Sequence, residues 1–170
     1  RKILFVGLDN AGKTSISLAL RGETRINEYF SLEPTEGYEV DQMSLGNVNL
    51  LLWDLGGQEY YRKEHLKEFK QRVNFANKIM FVIDIQDTER YDLAMGYFED
   101  LLQVLGETDE RPEIVLLLHK FDKGLEEQPE FSRKRLSRLI IEPFKEHVPE
   151  GCELSIYKTV ISAQFTKVDF

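Results

Sequence analysis

The 170-residue chain has a single cysteine, Cys152, so no internal disulfide can form and a reducing compartment is the expected setting. It is short of cations: 22 Lys and Arg against 30 Asp and Glu leave a net charge of −8. That balance disfavours non-specific contact with nucleic acid or an anionic membrane, so a phosphate ligand has to be held by a local, preorganised site. Long hydrophobic runs are missing as well. The longest, Ile79 to Ile83 and Ile114 to Leu118, have five residues each, far below the ~18 that span a bilayer. Membrane association is therefore expected only through segments outside these residues. Repeats, low-complexity tracts and linkers are absent, and charge is spread along the whole length.

What is present is an ordinary globular composition, with 42% hydrophobic and 31% charged residues, of a length that makes one domain. Short β-rich runs alternate with helical patterns. Strands are expected over Lys2 to Val6, Tyr38 to Leu45, Val48 to Asp54, Lys78 to Ile85, Glu113 to Leu118 and Leu154 to Ile161. Gly46-Asn47 suits the tight turn of a hairpin between the second and third. Helices are expected over Thr14 to Leu20, over Leu93 to Leu105 with Gly106 as the stop, and from an N-cap at Ser132 to the neighbourhood of Pro143 or Pro149. A final helix is expected from Gln164 onward. The pattern is α/β: a mainly parallel six-stranded sheet with one antiparallel strand and helices on both faces. In such sheets ligands bind at the carboxyl ends of the strands.

Three segments at those ends carry chemistry. Gly7 to Thr14 reads G-x-x-x-x-G-K-[ST], directly after a strand and directly before a helix. Its backbone N–H groups and the following helix N-terminus would cradle an anion, with Asp9, Asn10, Ala11, Gly12, Lys13, Thr14 and Ser15 as the phosphate-binding set. Lys13 would reach the β and γ phosphates, and Thr14 would ligate Mg²⁺. The bland alternative is a chance glycine turn. Trp53-Asp54-Leu55-Gly56-Gly57-Gln58 ends the third strand: Asp54 is placed to hold a water on Mg²⁺, the Gly57 N–H to meet a γ-phosphate, and Gln58 to orient the attacking water. Read alone, the double glycine is an ordinary turn. His119-Lys120-Phe121-Asp122 ends the fifth strand. The Asp122 carboxylate could accept the N1 and N2 hydrogens of guanine, which adenine lacks, and the Lys120 stem could lie along the base. Read alone, this is a solvated strand end.

In this order and spacing the motifs resemble the Ras superfamily of small GTPases over nearly the whole chain. The double glycine before Gln58, and Pro34-Thr35-Glu36-Gly37-Tyr38, are similar to the Arf and Rag/Gtr branches; His119 in place of asparagine, Leu45-Gly46-Asn47-Val48 and the long stretch from Glu59 to Asn77 lean toward Rag. The resemblance implies one small GTPase (G) domain over residues 1–170 that binds GTP and GDP with Mg²⁺ as cofactor. By the same likeness Thr35 becomes the second protein ligand for Mg²⁺ and, with Gln58 and Lys13, part of the catalytic set. His119, Lys120 and Asp122 would hold guanine. For the last base-binding loop two placements stand: Thr159-Val160-Ile161, which makes Val160 and Ile161 guanine-binding, or Ser162-Ala163.

Such a protein is a switch whose two loops, at Thr35 and Gly57, let go of the γ-phosphate after hydrolysis. Its partners would be effectors, an exchange factor, an activating protein and, in one variant, a second G domain, with no nucleic acid. Its place would be the cytoplasm, including the cytosolic face of a membrane. Hydrolysis is expected to be slow alone, because Arg21, Arg25, Arg62 and Arg72 read as solvated charges. A non-hydrolysing GTP-bound scaffold or dimer subunit, and an ATP-dependent P-loop transferase, are the competing readings. Tyr38, Trp53, Tyr60 and Tyr61 read equally as core or as a partner surface. The histidines at 65, 119 and 147 are too scattered for a metal cluster, Glu126-Glu127, Lys134 and Arg135 read as solvated, and Cys152 has no activating neighbour in sequence.

Overall fold

The computed structural model describes residues 1–22, 28–29, 31–45 and 48–162. Arg25, the Gly46-Asn47 turn, Ala163 and the helix expected from Gln164 lie outside the described residues. In chain order the elements are β1 (Lys2–Gly7), α1 (Lys13–Arg21), β2 (Tyr38–Leu45), β3 (Val48–Leu55), α2 (Glu59–Arg72), β4 (Ala76–Asp84), α3 (Tyr91–Gly106), β5 (Glu113–His119), α4 (Arg133–Leu136), α5 (Glu142–His147) and β6 (Leu154–Lys158). The sheet order is β2-β3-β1-β4-β5-β6, with β2 antiparallel to β3 and every other pairing parallel. This is the six-stranded, mostly parallel sheet that the alternating pattern implies.

Successive side chains of a strand point to opposite faces, and both faces are covered. Leu4, Val6, Phe81 and Leu116 face one core with Phe98, Leu101 and Phe144 from the helices, while Ile3, Phe5, Val82 and Val115 face another, against which Ile16 of α1 packs. Phe98 stacks on Phe144 at a 4.0 Å centroid distance, and Phe81 meets Phe98 edge-on at 5.0 Å. Each of these fully buried rings contributes roughly 2 to 3 kcal/mol of transfer free energy. The sheet's central strands are thus clamped, and the loops at their carboxyl ends are presented by a rigid platform.

One expected boundary, the end of β6, is corrected, two expected end signals act differently, and one open choice is decided. Gly106 is the last residue of α3 but not a left-handed stop; the end is closed by Glu107 and Thr108 N–H groups donating to Val104 and Leu105 carbonyls at 3.2 and 2.9 Å. Ser132 precedes α4, yet its hydroxyl donates back to Pro129 O at 2.9 Å and makes no cap bond. Of the two ends expected for this helix, Pro143 and Pro149, the second holds. The helix widens into a π turn, Ser137–Ile141, in which Glu142 N–H reaches Ser137 O, and so absorbs the missing proline donor before running on to His147. At the other edge β6 stops at Lys158, short of Ile161.

Candidate functional site: an anion cradle with an oxygen cluster

The β1–α1 loop is shaped by backbone geometry that only small residues allow. Gly7 has φ 145°, and a Cβ there would stand 2.3 Å from Val82 O; Gly12 has φ 93°, and a Cβ there would meet the His119 ring at 2.5 Å. No side chain caps the N-terminus of α1 at Gly12, so its first N–H groups remain available to an anion. Lys13 folds into this cradle. Its Nζ donates to Leu8 O at 2.8 Å and Gly7 O at 3.2 Å. Burial pushes its pKa down from 10.5 to about 8, against the pull of Asp54 and Asp9. A buried ammonium held only by carbonyls suits an incoming anion.

Next to it three oxygens converge from three separate elements. Thr14 Oγ1 donates to Asp54 Oδ2 at 2.5 Å, lies 3.0 Å from Thr35 Oγ1, and Thr35 Oγ1 donates to the same Oδ2 at 3.4 Å. Asp54 Oδ1 is buried with no hydrogen-bond partner. Burial raises the Asp54 pKa, and the Thr14 hydrogen bond and the Lys13 charge oppose that shift. An all-oxygen donor set with an orphaned carboxylate oxygen fits a hard divalent cation such as Mg²⁺. Among the described residues no group of three His, Cys, Asp or Glu could hold a metal instead.

The double-glycine segment closes over this cluster. Gly56 N–H donates to Gly37 O at 2.8 Å, tying the Thr35 segment to the end of β3. A Cβ on Gly57 would lie 2.2 Å from both Leu8 C and Asp9 N, so this residue rests on the phosphate loop itself. Gln58 follows, half-buried, at the start of α2. On the assignment expected from the sequence, a Gly57→Ala variant should bind a nucleoside diphosphate as wild type does and bind a triphosphate analogue roughly tenfold or more weakly, since the segment has to lift off the loop. Paired calorimetric titrations check this, and equal retention of both ligands would contradict it.

At the end of β5, His119 is buried against Gly12 with Nδ1 2.9 Å from Thr159 Oγ1. Burial lowers its pKa, so the ring is neutral at pH 7. Lys120, with φ 57°, sends Nζ to Asn10 O at 2.8 Å and Asp84 Oδ2 at 2.7 Å, which locks the β5 end onto the phosphate loop. Asp122 is exposed and accepts a 2.7 Å hydrogen bond from Gln86 Nε2, which also donates to Lys120 O at 2.7 Å. Val160 and Ile161 lie beyond β6 with 47% and 37% exposure.

A cleft of about 240 Å³ gathers Asp9, Asn10, Gly12, Lys13, Thr14, Ser15, Thr35, Gly57, Gln58 and Lys120, with Tyr29 and Leu32 on its rim. Of the expected residues, Ala11 packs its methyl in the core beneath, and His119, Asp122, Val160 and Ile161 do not line this cleft. Two arginines are not the solvated charges their sequence context implies. Arg62 is 8% and Arg72 9% exposed, the first hydrogen-bonded to Gly57 O at 2.6 Å, the second lying 4.3 Å over the Tyr38 ring. Arg21 does remain exposed, paired with Asp41. Arg90, Asp84 and Gln86 escaped sequence reasoning altogether; Arg90 NH1 donates to Asp9 Oδ1 at 3.0 Å. The aromatics divide: Trp53 is half-buried with its Nε1 covered, and Tyr38, itself 47% exposed, stacks on it at 5.3 Å, whereas Tyr60 is 66% exposed. The Cys152 thiol is pushed up by burial, as an unreactive cysteine should be. No helix among the described residues is long and apolar enough to cross a membrane.

With this geometry in view, comparisons with known proteins agree with one another. A family model for the Gtr1/RagA G protein conserved region matches residues 2–167. ADP-ribosylation factor-like protein 3 of Chlamydomonas reinhardtii is 35% identical over 102 residues, 60% of this chain and 53% of that protein. ADP-ribosylation factor-like protein 5 of Caenorhabditis elegans is 34% identical over 121 residues, 71% of this chain and 62% of that protein. The chain thus spans less than two thirds of the length of these curated relatives. Among solved structures, the Arl6 BBS3 small GTPase of Trypanosoma brucei with bound GppNp superposes with a TM-score of 0.70 at 17% identity, over 94% of this chain and 86% of that one. The mammalian SRP receptor gives 0.63 at 19% identity, over 93% and 91%. At these identities the two structures establish the fold.

Proposed function

The chain belongs to the Gtr1/RagA family of G proteins, within the Ras superfamily and with Arf-like relatives, and from that premise we propose that its cleft binds GTP and GDP with Mg²⁺ and hydrolyses GTP slowly. The observation that carries the reading is the meeting of Thr14, Thr35 and Asp54 beside Lys13, since Thr35 comes from 21 residues away to share one carboxylate oxygen with Thr14. Thr14 and Thr35 would hold the cation directly and Asp54 through a water. When bound, Mg²⁺ supplies charge neutralisation to the phosphates.

The protein's own groups do the rest. Lys13 and the N–H groups opening α1 take up phosphate charge, Gly57 offers its N–H to the third phosphate, and Gln58 aligns a water. His119 backs the loop at Gly12, Lys120 lies at the base and ties the loops, and Asp122 reads guanine N1 and N2. Val160 and Ile161 would offer backbone N–H groups to the base carbonyl. The cleft's cations are Lys13 and Lys120, and no arginine lines it among the described residues, so hydrolysis stays slow until an activating partner adds a cation. Loss of the third phosphate frees Thr35 and Gly57 together, because Gly56 and Gly37 join their segments. Effectors, an exchange factor and a second G domain would read that change at the cytosolic face of a membrane or in the cytoplasm.

Calorimetry of the purified protein with GDP and ADP, each with Mg²⁺, tests the reading. GDP is expected to bind roughly a hundredfold or more tighter, because guanine N1–H and N2–H both donate to the Asp122 carboxylate, which a bound base would cover, whereas adenine offers it no such pair. Equal affinities would sink it.

A further inference from the structure

Gly57 is held from two sides. In front it rests on the Leu8–Asp9 peptide of the phosphate loop. Behind, its carbonyl accepts the 2.6 Å hydrogen bond from Arg62 NH1. That guanidinium has turned inward: it lies 5.6 Å from the centre of the Tyr97 ring on α3, and its neighbour in sequence, Lys63, points to solvent and pairs with Glu59. Its nearest carboxylate, Asp9 Oδ1, is 3.8 Å away and belongs to the phosphate loop. The same carboxylate oxygen takes Arg90 NH1 at 3.0 Å, Asp9 O takes Arg90 NH2 at 3.1 Å, and Arg90 Nε is anchored to Asp87 at 2.5 Å. A line of charge therefore runs from α2, through the phosphate loop, to the start of α3.

An arginine on the first turn of a helix reaches water easily, and desolvating it is unfavourable unless its hydrogen bonds are well used. Here they are used on one glycine carbonyl. The carbonyl of Gly57 lies in the peptide shared with Gln58, so fixing it fixes the direction in which Gln58 leaves the loop; the Gly57 N–H belongs to the preceding peptide and is held between this anchor and the contact with Leu8 and Asp9 in front.

We infer that Arg62 is a positioning residue that sets Gly57 and Gln58 over the phosphate loop, with Asp9 as its counter-ion, and thereby governs the preference for a nucleoside triphosphate over a diphosphate. The inference rests on the reading of the cleft as a guanine-nucleotide site. A diphosphate does not extend to Gly57, so its affinity is independent of the tether. A triphosphate meets Gly57 directly and binds best when that N–H is already in place.

The test is calorimetric titration of wild type, Arg62→Met and Arg62→Lys with Mg²⁺-GDP and with a Mg²⁺-loaded non-hydrolysable GTP analogue, alongside thermal melts. Methionine keeps an apolar stem beneath Tyr97, and lysine keeps the charge near Asp9 but not the guanidinium fork. Both variants should lower the ratio of analogue to GDP affinity roughly tenfold, the scale of one charge-assisted hydrogen bond, with GDP affinity unchanged. An unchanged ratio overturns the inference. So does full recovery of the ratio by lysine, which would make bare charge sufficient, and so does a parallel fall of both ligands, which would mark a general loss of structure. If the methionine variant fails to fold, the lysine variant decides alone. Wild type that binds neither nucleotide refutes the underlying site and not the tether.

Discussion

Replacing Lys13 by methionine should remove most of the nucleotide affinity while leaving the empty protein as stable as before, or more so. Lys13 is 5% exposed, and burial brings its pKa from 10.5 to about 8. The folded state thus binds this proton less tightly than the unfolded chain does. Between pH about 8 and 10.5 the unfolded chain still holds the proton that the folded protein has released, so stability rises with pH across that window. Below it the folded protein carries the full penalty, roughly 3 kcal/mol. Methionine removes that penalty and leaves the Gly7 and Leu8 carbonyls without a donor, which takes back about 1 kcal/mol for each bond. Phosphate binding loses its one buried cation, a change of roughly 10- to 100-fold. In wild type, GDP affinity should also fall by close to tenfold per pH unit above about 8, as binding then demands proton uptake, and this slope should vanish in the variant. Melting curves of the nucleotide-free proteins and GDP titrations at several pH values check both signs. A variant that melts well below wild type yet binds GDP normally would reverse them.

The contiguous parts of the site are the parts a sequence displays. Gly7 to Thr14 forms its cradle from its own backbone, so its spacing displays it, and Asp54, Gly57 and Asp122 each sit at a strand end that the apolar runs mark. Arg62, Arg90 and Gln86 act across the fold instead. Arg90 reaches Asp9, 81 residues away, and Gln86 reaches Asp122, 36 residues away. A cation on a helix reads as solvated because its stem is long enough to reach water, and nothing local says that it turns inward. The strand errors have the same origin. Val160 and Ile161 have the β-branched character of a strand, but the chain turns at Lys120, whose φ is 57°, and Thr159 makes the last pair of bonds, its N–H to Leu118 O at 2.9 Å and its carbonyl from Phe121 N–H at 3.0 Å. Past that point β6 has no edge to pair with. The choice between Pro143 and Pro149 as the helix end stays open in the sequence for a different reason: proline breaks a helix only when the turn before it cannot widen, and whether Ser137 to Ile141 can do so depends on how Ile140 and Phe144 are packed beneath it.

Exchanging Asp122 for asparagine should move the base preference from guanine to xanthine. The carboxylate is displayed as an acceptor, with Oδ2 taking the Gln86 amide at 2.7 Å. Guanine would bring two donors, N1–H and the N2 amino group, to that same group and displace the glutamine. Asparagine is isosteric and can still accept from Gln86 through its own carbonyl oxygen, so the loop geometry that Lys120 fixes through Asn10 and Asp84 has no reason to change. What does change is that an amide donor now faces the base. Against guanine this sets donor on donor; against xanthine, whose C2 carries a carbonyl, it restores a pair. Affinity for GDP should fall, and that for xanthosine diphosphate rise, by roughly a hundredfold each, because the penalty comes from leaving a desolvated polar group unmatched and not merely from losing one bond. Calorimetry with the two diphosphates measures the crossover directly. Unchanged guanine binding would take Asp122 out of base recognition, whereas a loss of both bases together would mean that the carboxylate serves the loop and not the ligand.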